Sequence, residues 1–173
     1  TIGITRSMIK NAVSQVVVYH IGEPLDYIEL LLGSDKYTLV STNELENMIH
    51  YNVTLDNKTL NIYQITGEGT YYDYSSVNTG EITLYVAIDE NNVITHASLP
   101  SDLYGHSGGS FYESSVEYLK SYIGLNIVTD LIDYEAQASE EGHAKGSKYL
   151  VGQLLNEVKE VVAWEIYLNL WFY

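Results

Sequence analysis

The sequence predicts an α+β fold, in which a curved antiparallel sheet has helices packed on one side. Three observations support this class. The chain has 173 residues, 46% of them hydrophobic and 18% charged, so it can bury a core without disulfides. Its middle part alternates apolar and polar residues, whereas both ends place apolar residues at three- and four-residue intervals. Strands and helices do not alternate regularly, which disfavours a parallel sheet.

The N-terminal segment predicts an amphipathic helix over residues 5–18. Its apolar positions share one helical face: Met8, Ile9, Ala12, Val13, Val16 and Val17. Gly22 ends this segment. We therefore divide the chain into residues 1–22, an N-terminal helix that can belong to a preceding domain, and residues 23–173, the main domain.

Two short segments follow, and we interpret both as helical. Residues 25–32 are an apolar run. Ser41 or Thr42 is suited to cap a further short helix that ends at His50. The inner face of that helix would be formed by Leu45, Met48 and Ile49.

Strand-like alternation begins at Tyr51 and continues to residue 99. A turn at residues 56–58 divides the first hairpin, whose apolar positions are Val53, Leu55, Leu60, Ile62 and Ile65. Residues 67–80 are rich in Gly, Tyr, Asp and Ser, so we expect a long connection there. The next strand has its apolar positions at Ile82, Leu84, Val86 and Ile88. A turn at residues 89–92 then leads into a strand over residues 93–99.

The C-terminal part of the chain predicts a loop and two helices. Residues 100–110 are the most turn-rich stretch, and they lead into a helix over residues 111–123. Gly124 is suited to the left-handed position just past that helix. Residues 150–162 have the spacing of a long amphipathic helix, and we expect the aromatic tail at residues 164–173 to pack on the sheet or on a neighbour.

Composition excludes several function classes. The formal net charge is −15, which disfavours nucleic acid and anionic lipid surfaces as partners. The chain has no cysteine, so thiolate catalysis, iron–sulfur clusters and covalent haem attachment are excluded. The five histidines show no metal-ligand spacing, and no apolar stretch is long enough to span a bilayer. We therefore expect no metal, and a membrane association only through an anchor removed from this chain.

Four stretches occur in an order that resembles a known family. Residues 63–69 (YQITGEG), 80–89 (GEITLYVAID) and 93–97 (VITHA) are similar to its opening, central and following strands. Residues 103–106 (LYGH), ahead of a predicted helix, stand where its flavin-contacting loop lies. Together, residues 60–162 resemble the FMN-binding domain family, which includes flavin-bearing subunits of Rnf and Na⁺-pumping NADH:quinone complexes and Gram-positive flavin lipoproteins.

The family also has a Ser/Thr-Gly-Ala-Thr-x-Ser/Thr motif at a helix start, whose threonine carries FMN through a phosphoester bond. The N–H groups and dipole of a helix start favour a phosphate. The corresponding stretch here keeps Gly142 and Ser147, but Ala144 stands in place of the acceptor threonine. The same motif is approximated at the start of the chain by Gly3, Thr5 and Ser7. Thr5 is therefore a second candidate acceptor, although a threonine there is equally suited to cap a helix.

The resemblance implies an extracytoplasmic electron-transfer domain, held at the cell surface by a removed anchor, with redox proteins at the membrane surface as partners. It either carries FMN or packs beside a flavinylated neighbour. The implied cofactor-binding residues are Gly3, Thr5, Ser7, Leu103, Tyr104, Gly105, His106, Gly142 and Ser147. A turn that needs positive φ explains Gly105 equally well. The alternative function is a non-redox binding or structural surface module that has lost the flavin acceptor and uses its Tyr-rich loops, such as residues 71–74.

Overall fold

The computed structural model describes residues 26–73, 76–130 and 145–171 of the chain. The helix predicted over residues 5–18 and the domain division at residue 22 lie outside these ranges. The described elements, in chain order, are α1 (Tyr27–Leu32), β1 (Thr38–Glu44), β2 (Met48–Leu55), β3 (Lys58–Asp73), β4 (Ser76–Ile88), β5 (Ile94–Ser98), a 3₁₀ turn (Ser101–Leu103), α2 (Ser110–Lys120) and α3 (Lys145–Trp171).

The five strands form one antiparallel sheet in chain order, β1-β2-β3-β4-β5. Each strand pairs with the next because tight turns reverse the chain. Asp56 and Asn57 connect β2 to β3 with positive φ values of 50° and 62°, the backbone of a type I′ turn, which matches the twist of the strands. The predicted α+β class with a curved antiparallel sheet is confirmed, as are the predicted hairpins at residues 56–58 and 89–92.

Alternating side chains divide the sheet into two apolar faces. On the larger face α2 and α3 cover the core. Its fully buried large side chains include Tyr63, Ile65, Ile82, Leu84, Leu119, Leu154 and Leu155. The short α1 packs on the opposite face, where Ile28, Leu31 and Leu32 contact a second cluster built around Val53 and Ile62.

The helices predicted over residues 25–32, 111–123 and 150–162 are confirmed. Residues 25–32 contain α1, which begins where the Asp26 side chain accepts the backbone N–H groups of Ile28 and Glu29 at 2.9 and 3.0 Å. The helices predicted over residues 111–123 and 150–162 are present as α2 and α3. Gly124 has a φ of 91°, the left-handed conformation predicted for it.

The helix predicted to end at His50 is wrong. Residues 38–44 and 48–55 form β1 and β2, which pair with each other. The three residues predicted to share a helical face do not share one, because Met48 is buried under α3 whereas Leu45 is 43% exposed at the turn. The β-branched and polar residues of β1 favour an extended edge over a helix.

The long connection predicted for residues 67–80 is also wrong. This stretch lies in the β3–β4 hairpin, whose strands stay paired to Asp73 and Ser76. Gly67 and Gly69 mark the close approach of α3 to the strand instead of a turn. A Cβ on Gly67 would lie 2.6 Å from Leu154 Cδ2, so a larger residue there would force the Leu154 side chain to shift.

Candidate functional site

The predicted flavin loop and the start of α3 meet on the large face of the sheet. We call this place the helix–loop junction and define it by residues Thr70, Tyr71, Gly80, Tyr104, Gly105, His106, Gly146 and Ser147. His106 lies at its centre. The His106 Nδ1 atom is 2.9 Å from Ser147 Oγ, and its Nε2 atom is 3.0 Å from the Gly80 carbonyl oxygen. One side chain therefore connects the loop, β4 and α3.

The loop is held in place by its contact with β4. The Gly105 backbone N–H donates to Glu81 O at 2.7 Å, and Tyr104 forms an isolated antiparallel bridge with Ile82. A Cβ on Gly80 would overlap the Gly105 carbonyl oxygen. Glycine at position 80 is thus what lets the loop lie directly against the strand.

The start of α3 is held as tightly against β3. A Cβ on Gly146 would overlap the Thr70 carbonyl oxygen, so the helix backbone lies in contact with the strand backbone at this point. Ser147, the next residue, is 1% exposed. Its hydroxyl is the group that reaches His106. No space for a further group remains between α3 and β3 at Gly146.

Aromatic rings surround the His106 imidazole. Tyr71 stacks on it with ring centroids 4.5 Å apart, and the Tyr104 ring lies 5.8 Å away at a steeper angle. The Tyr104 hydroxyl is itself paired with Ser115 Oγ at 3.1 Å. These contacts leave His106 only 7% exposed.

The hydrogen bonds and burial of His106 specify its protonation state. Burial lowers the pKa of His106 below its ordinary value of 6.5, although hydrogen bonding to the backbone of Gly80 and Gly69 offsets part of this effect. The ring is therefore neutral near pH 7. Because a carbonyl oxygen only accepts, Nε2 carries the proton and donates to Gly80 O, so Nδ1 accepts from the Ser147 hydroxyl.

The structure brings together four of the nine site residues predicted from the sequence: Tyr104, Gly105, His106 and Ser147. Leu103 lies elsewhere, packed against the cluster on the opposite face of the sheet. Gly3, Thr5, Ser7 and Gly142 lie outside the described residues. Tyr71, proposed from the sequence as one of a loop cluster, belongs to β3 and reaches the junction by stacking.

The junction does not fit a flavin phosphate in this arrangement. The Ser147 hydroxyl and both His106 nitrogens are already paired with protein groups. Throughout the described residues, no buried side-chain nitrogen or oxygen lacks a hydrogen-bond partner. A phosphate would have to displace the Ser147–His106 bond and separate Gly146 from Thr70. The same described ranges contain no group of His, Asp or Glu able to hold a metal ion.

A second surface, which the sequence reasoning missed, lies at the other end of α3. We call it the acidic groove. It runs between the β1–β2 turn and the C-terminal half of α3, and it is lined by Asn43, Leu45, Glu46, Asn47, Met48, Glu157, Glu160, Val161, Trp164 and Glu165. The spacing of Glu157, Glu160 and Trp164 at i, i+3 and i+7 was the available signal, because it places them on one helical face.

Hydrogen bonds fix three glutamates of the acidic groove. Within α3, Asn156 Nδ2 donates to Glu160 Oε1 at 3.1 Å. Asn47 Nδ2 donates to Glu157 Oε2 at 2.8 Å, which joins the β1–β2 turn to α3. The Tyr63 hydroxyl donates to Glu165 Oε2 at 3.2 Å, and His50 Nδ1 lies 3.6 Å from Glu165 Oε1. Burial, together with the Glu165 charge, raises the pKa of Tyr63, so this hydroxyl keeps its proton and remains a donor.

No protein-family model matches the chain, and neither does any curated protein or solved structure. The described helices also include none with the length and apolar character required to cross a bilayer.

Proposed function

We propose that the described domain is a flavin-family domain of an extracytoplasmic electron-transfer system that carries no flavin at its own C-terminal motif and packs beside a flavinylated neighbour. The FMN acceptor in this proposal is Thr5. The proposal rests on the resemblance of residues 60–162 to the FMN-binding family and on one observation, the closure of the helix–loop junction by His106 and Ser147.

The closed helix–loop junction supports the proposal that this domain holds no flavin at its own C-terminal motif, for two reasons. The loop and the helix start meet, which is the arrangement that a flavin-family fold requires. The groups that would hold a phosphate are nevertheless bonded to each other, and Ala144 offers no hydroxyl for a phosphoester. The N-terminal motif keeps the threonine that the C-terminal motif lacks. A flavin attached there would supply the redox chemistry, and this domain would contribute the packing and the charge around it.

Intact mass tests the proposal. The full chain is produced together with a flavin transferase, as the original sequence and as the variants Thr5→Ala and Ser147→Ala. We expect the original chain and Ser147→Ala to gain the mass of one FMN less one water, and Thr5→Ala to gain nothing. A gain that persists in Thr5→Ala and disappears in Ser147→Ala would contradict the proposal, because the acceptor would then lie at the junction.

One observation favours a second function, a non-redox binding module. The acidic groove exposes two large apolar side chains, Trp164 at 61% and Leu45 at 43%, and adjoining exposed apolar side chains are typical of a binding surface. A folded original chain with no added mass and no flavin absorbance would reject the electron-transfer proposal in favour of this one.

A further inference from the structure

The acidic groove has an apolar floor that solvent reaches. Trp164 is 61% exposed and Leu45 is 43% exposed, and the partly buried Val161 lines the same groove. Trp164 is stacked on Tyr167, with ring centroids 5.7 Å apart. Tryptophan is among the residues that most often dominate binding energy at interfaces.

The groove continues into an unpaired sheet edge. Within the described residues β1 is the first strand of the sheet and pairs only with β2. All seven of its residues are exposed, and its sequence TLVSTNE contains no lysine, arginine or proline, which are common guards of an edge strand. A bulge interrupts the pairing between Leu39 and Ser41, so the regular part of the edge is residues 41–44, next to the groove.

The negative charge of the acidic groove indicates which kind of partner can bind there. The lining of the groove includes four glutamates, at positions 46, 157, 160 and 165, and no lysine or arginine. A second copy of the chain carries the same net charge of −15 over its whole sequence, so self-association is disfavoured. A cationic segment is attracted instead, because lysine and arginine bond to carboxylates and also stack on the face of a tryptophan.

We propose that the acidic groove and the edge of β1 at residues 41–44 dock an extended, lysine- or arginine-rich segment of a partner protein. The segment adds a strand to the sheet by backbone hydrogen bonds to β1. Its basic side chains contact Glu157 and Glu160, and one side chain covers Trp164. This inference does not depend on the flavin proposal, since it uses only the described surface.

A peptide in which Lys and Val alternate is the probe, and its binding to the full chain is measured by fluorescence anisotropy. Two matched peptides are compared with it: one replaces Lys by Glu, and the other carries N-methyl groups on alternate backbone nitrogens. We expect the Lys–Val peptide to bind and the Glu–Val peptide not to bind. N-methylation should weaken binding by about tenfold or more, because it removes the backbone donors that strand addition uses.

Two charge-matched variants of the chain locate the site. The double variant Glu157→Gln/Glu160→Gln should weaken binding of the Lys–Val peptide by about five- to tenfold, while the Gln side chain at position 157 still accepts from Asn47. The control Glu113→Gln/Glu117→Gln changes the same charge on α2 and should alter binding by less than about twofold. Equal losses in the two variants, no binding of the Lys–Val peptide, or equal binding of the N-methylated peptide would each overturn the proposal.

Discussion

The two ends of α3 lie on the same face of the sheet but differ in how their polar groups are used. At its start, Ser147 is 1% exposed and bonded to His106, and the helix backbone touches β3 at Gly146. Toward its end, Trp164 is exposed, and Glu157 and Glu160 line an open groove. The start of the helix has the features of a core, and its end has the features of an interface.

This difference shows that residues can resemble a binding site in sequence without being open to a ligand in the fold. Three of the residues that resemble a flavin site, Tyr104, His106 and Ser147, are buried, and His106 and Ser147 are bonded to each other. The surface that remains open to a partner carries no motif. A helix start with N–H donors binds an anion only when its first turn is accessible, and at Gly146 the strand occupies that space.

Among the changes at the two ends of α3, the largest expected effect comes from adding one carbon at the closed end. Gly146→Ala would place a methyl group onto the Thr70 carbonyl oxygen, and backbone on both sides prevents relaxation. We expect a loss of about 3 kcal/mol in the free energy of unfolding, measured by urea denaturation. Gly108→Ala is the control, because nothing lies within 4 Å of its Cβ, and it should change stability by less than about 1 kcal/mol. Similar stabilities for the two variants would show that α3 is not seated on β3.

The next-largest effect concerns the hydrogen bond between His106 and Ser147 that closes the helix–loop junction. A double-mutant cycle with His106→Ala and Ser147→Ala should give a coupling free energy of about 1 to 2 kcal/mol, because each single change leaves a buried partner unpaired. The pair Tyr112 and Ser107, whose hydroxyls donate to different backbone oxygens, should show no coupling in the same cycle with Tyr112→Phe and Ser107→Ala. Additive losses at His106 and Ser147 would mean that the two side chains do not interact.

A smaller effect appears in the pH dependence of stability. Burial lowers the folded-state pKa of His106 below the value of 6.5 that the unfolded chain has. Both states are neutral well above pH 6.5, so the full stabilisation is present there. As the pH falls below 6.5, the unfolded chain binds the proton first, and the free energy of unfolding decreases.

His106→Gln should reduce this acid-induced loss. Burial also lowers the pKa of His96, so His96→Gln should remove a further part of it. The measurement is the slope of unfolding free energy against pH between about 5 and 7 for the three proteins. An unchanged slope in His106→Gln would show that this ring is not buried in its neutral form.

The smallest expected effect is at the acidic groove, toward the end of α3. Trp164→Ala removes a mostly exposed side chain and should change the free energy of unfolding by less than about 1 kcal/mol. Leu154→Ala, on the same helix but fully buried, should cost about 2 to 5 kcal/mol. Thermal or urea unfolding distinguishes the two. A large loss in Trp164→Ala would mean that the groove is part of the folded core.

The elements with strong periodicity were predictable from the sequence, and those shaped by tertiary contact were not. Alternation predicted the part of β4 at residues 82–88, turn residues predicted both hairpins, and helical spacing predicted α2 and α3. The helix prediction for residues 38–50 was wrong because Thr, Ser and Asn are suited both to a helix cap and to an exposed edge strand. Gly67 and Gly69 suggested a turn, since the sequence does not show that Leu150 and Leu154 pack against them.

The candidate site was also predictable only in part, because its contacts depend on the tertiary structure. Tyr104, Gly105, His106 and Ser147 were selected from motif positions, and they do meet. Their pairing could not be foreseen, because the bond between His106 and Ser147 joins residues 41 positions apart. The acidic groove escaped the sequence reasoning because it combines the β1–β2 turn with one face of α3, and neither part carries a motif.

Heteronuclear NMR of the His106 ring nitrogens in the full chain, with and without added FMN, tests the closure of the junction most directly. We predict a neutral ring with the proton on Nε2, a pKa below 6.5, and no change when FMN is added. A ring that titrates at or above 6.5, or nitrogen shifts that change saturably with FMN, would show that the junction opens to the flavin and would contradict the account.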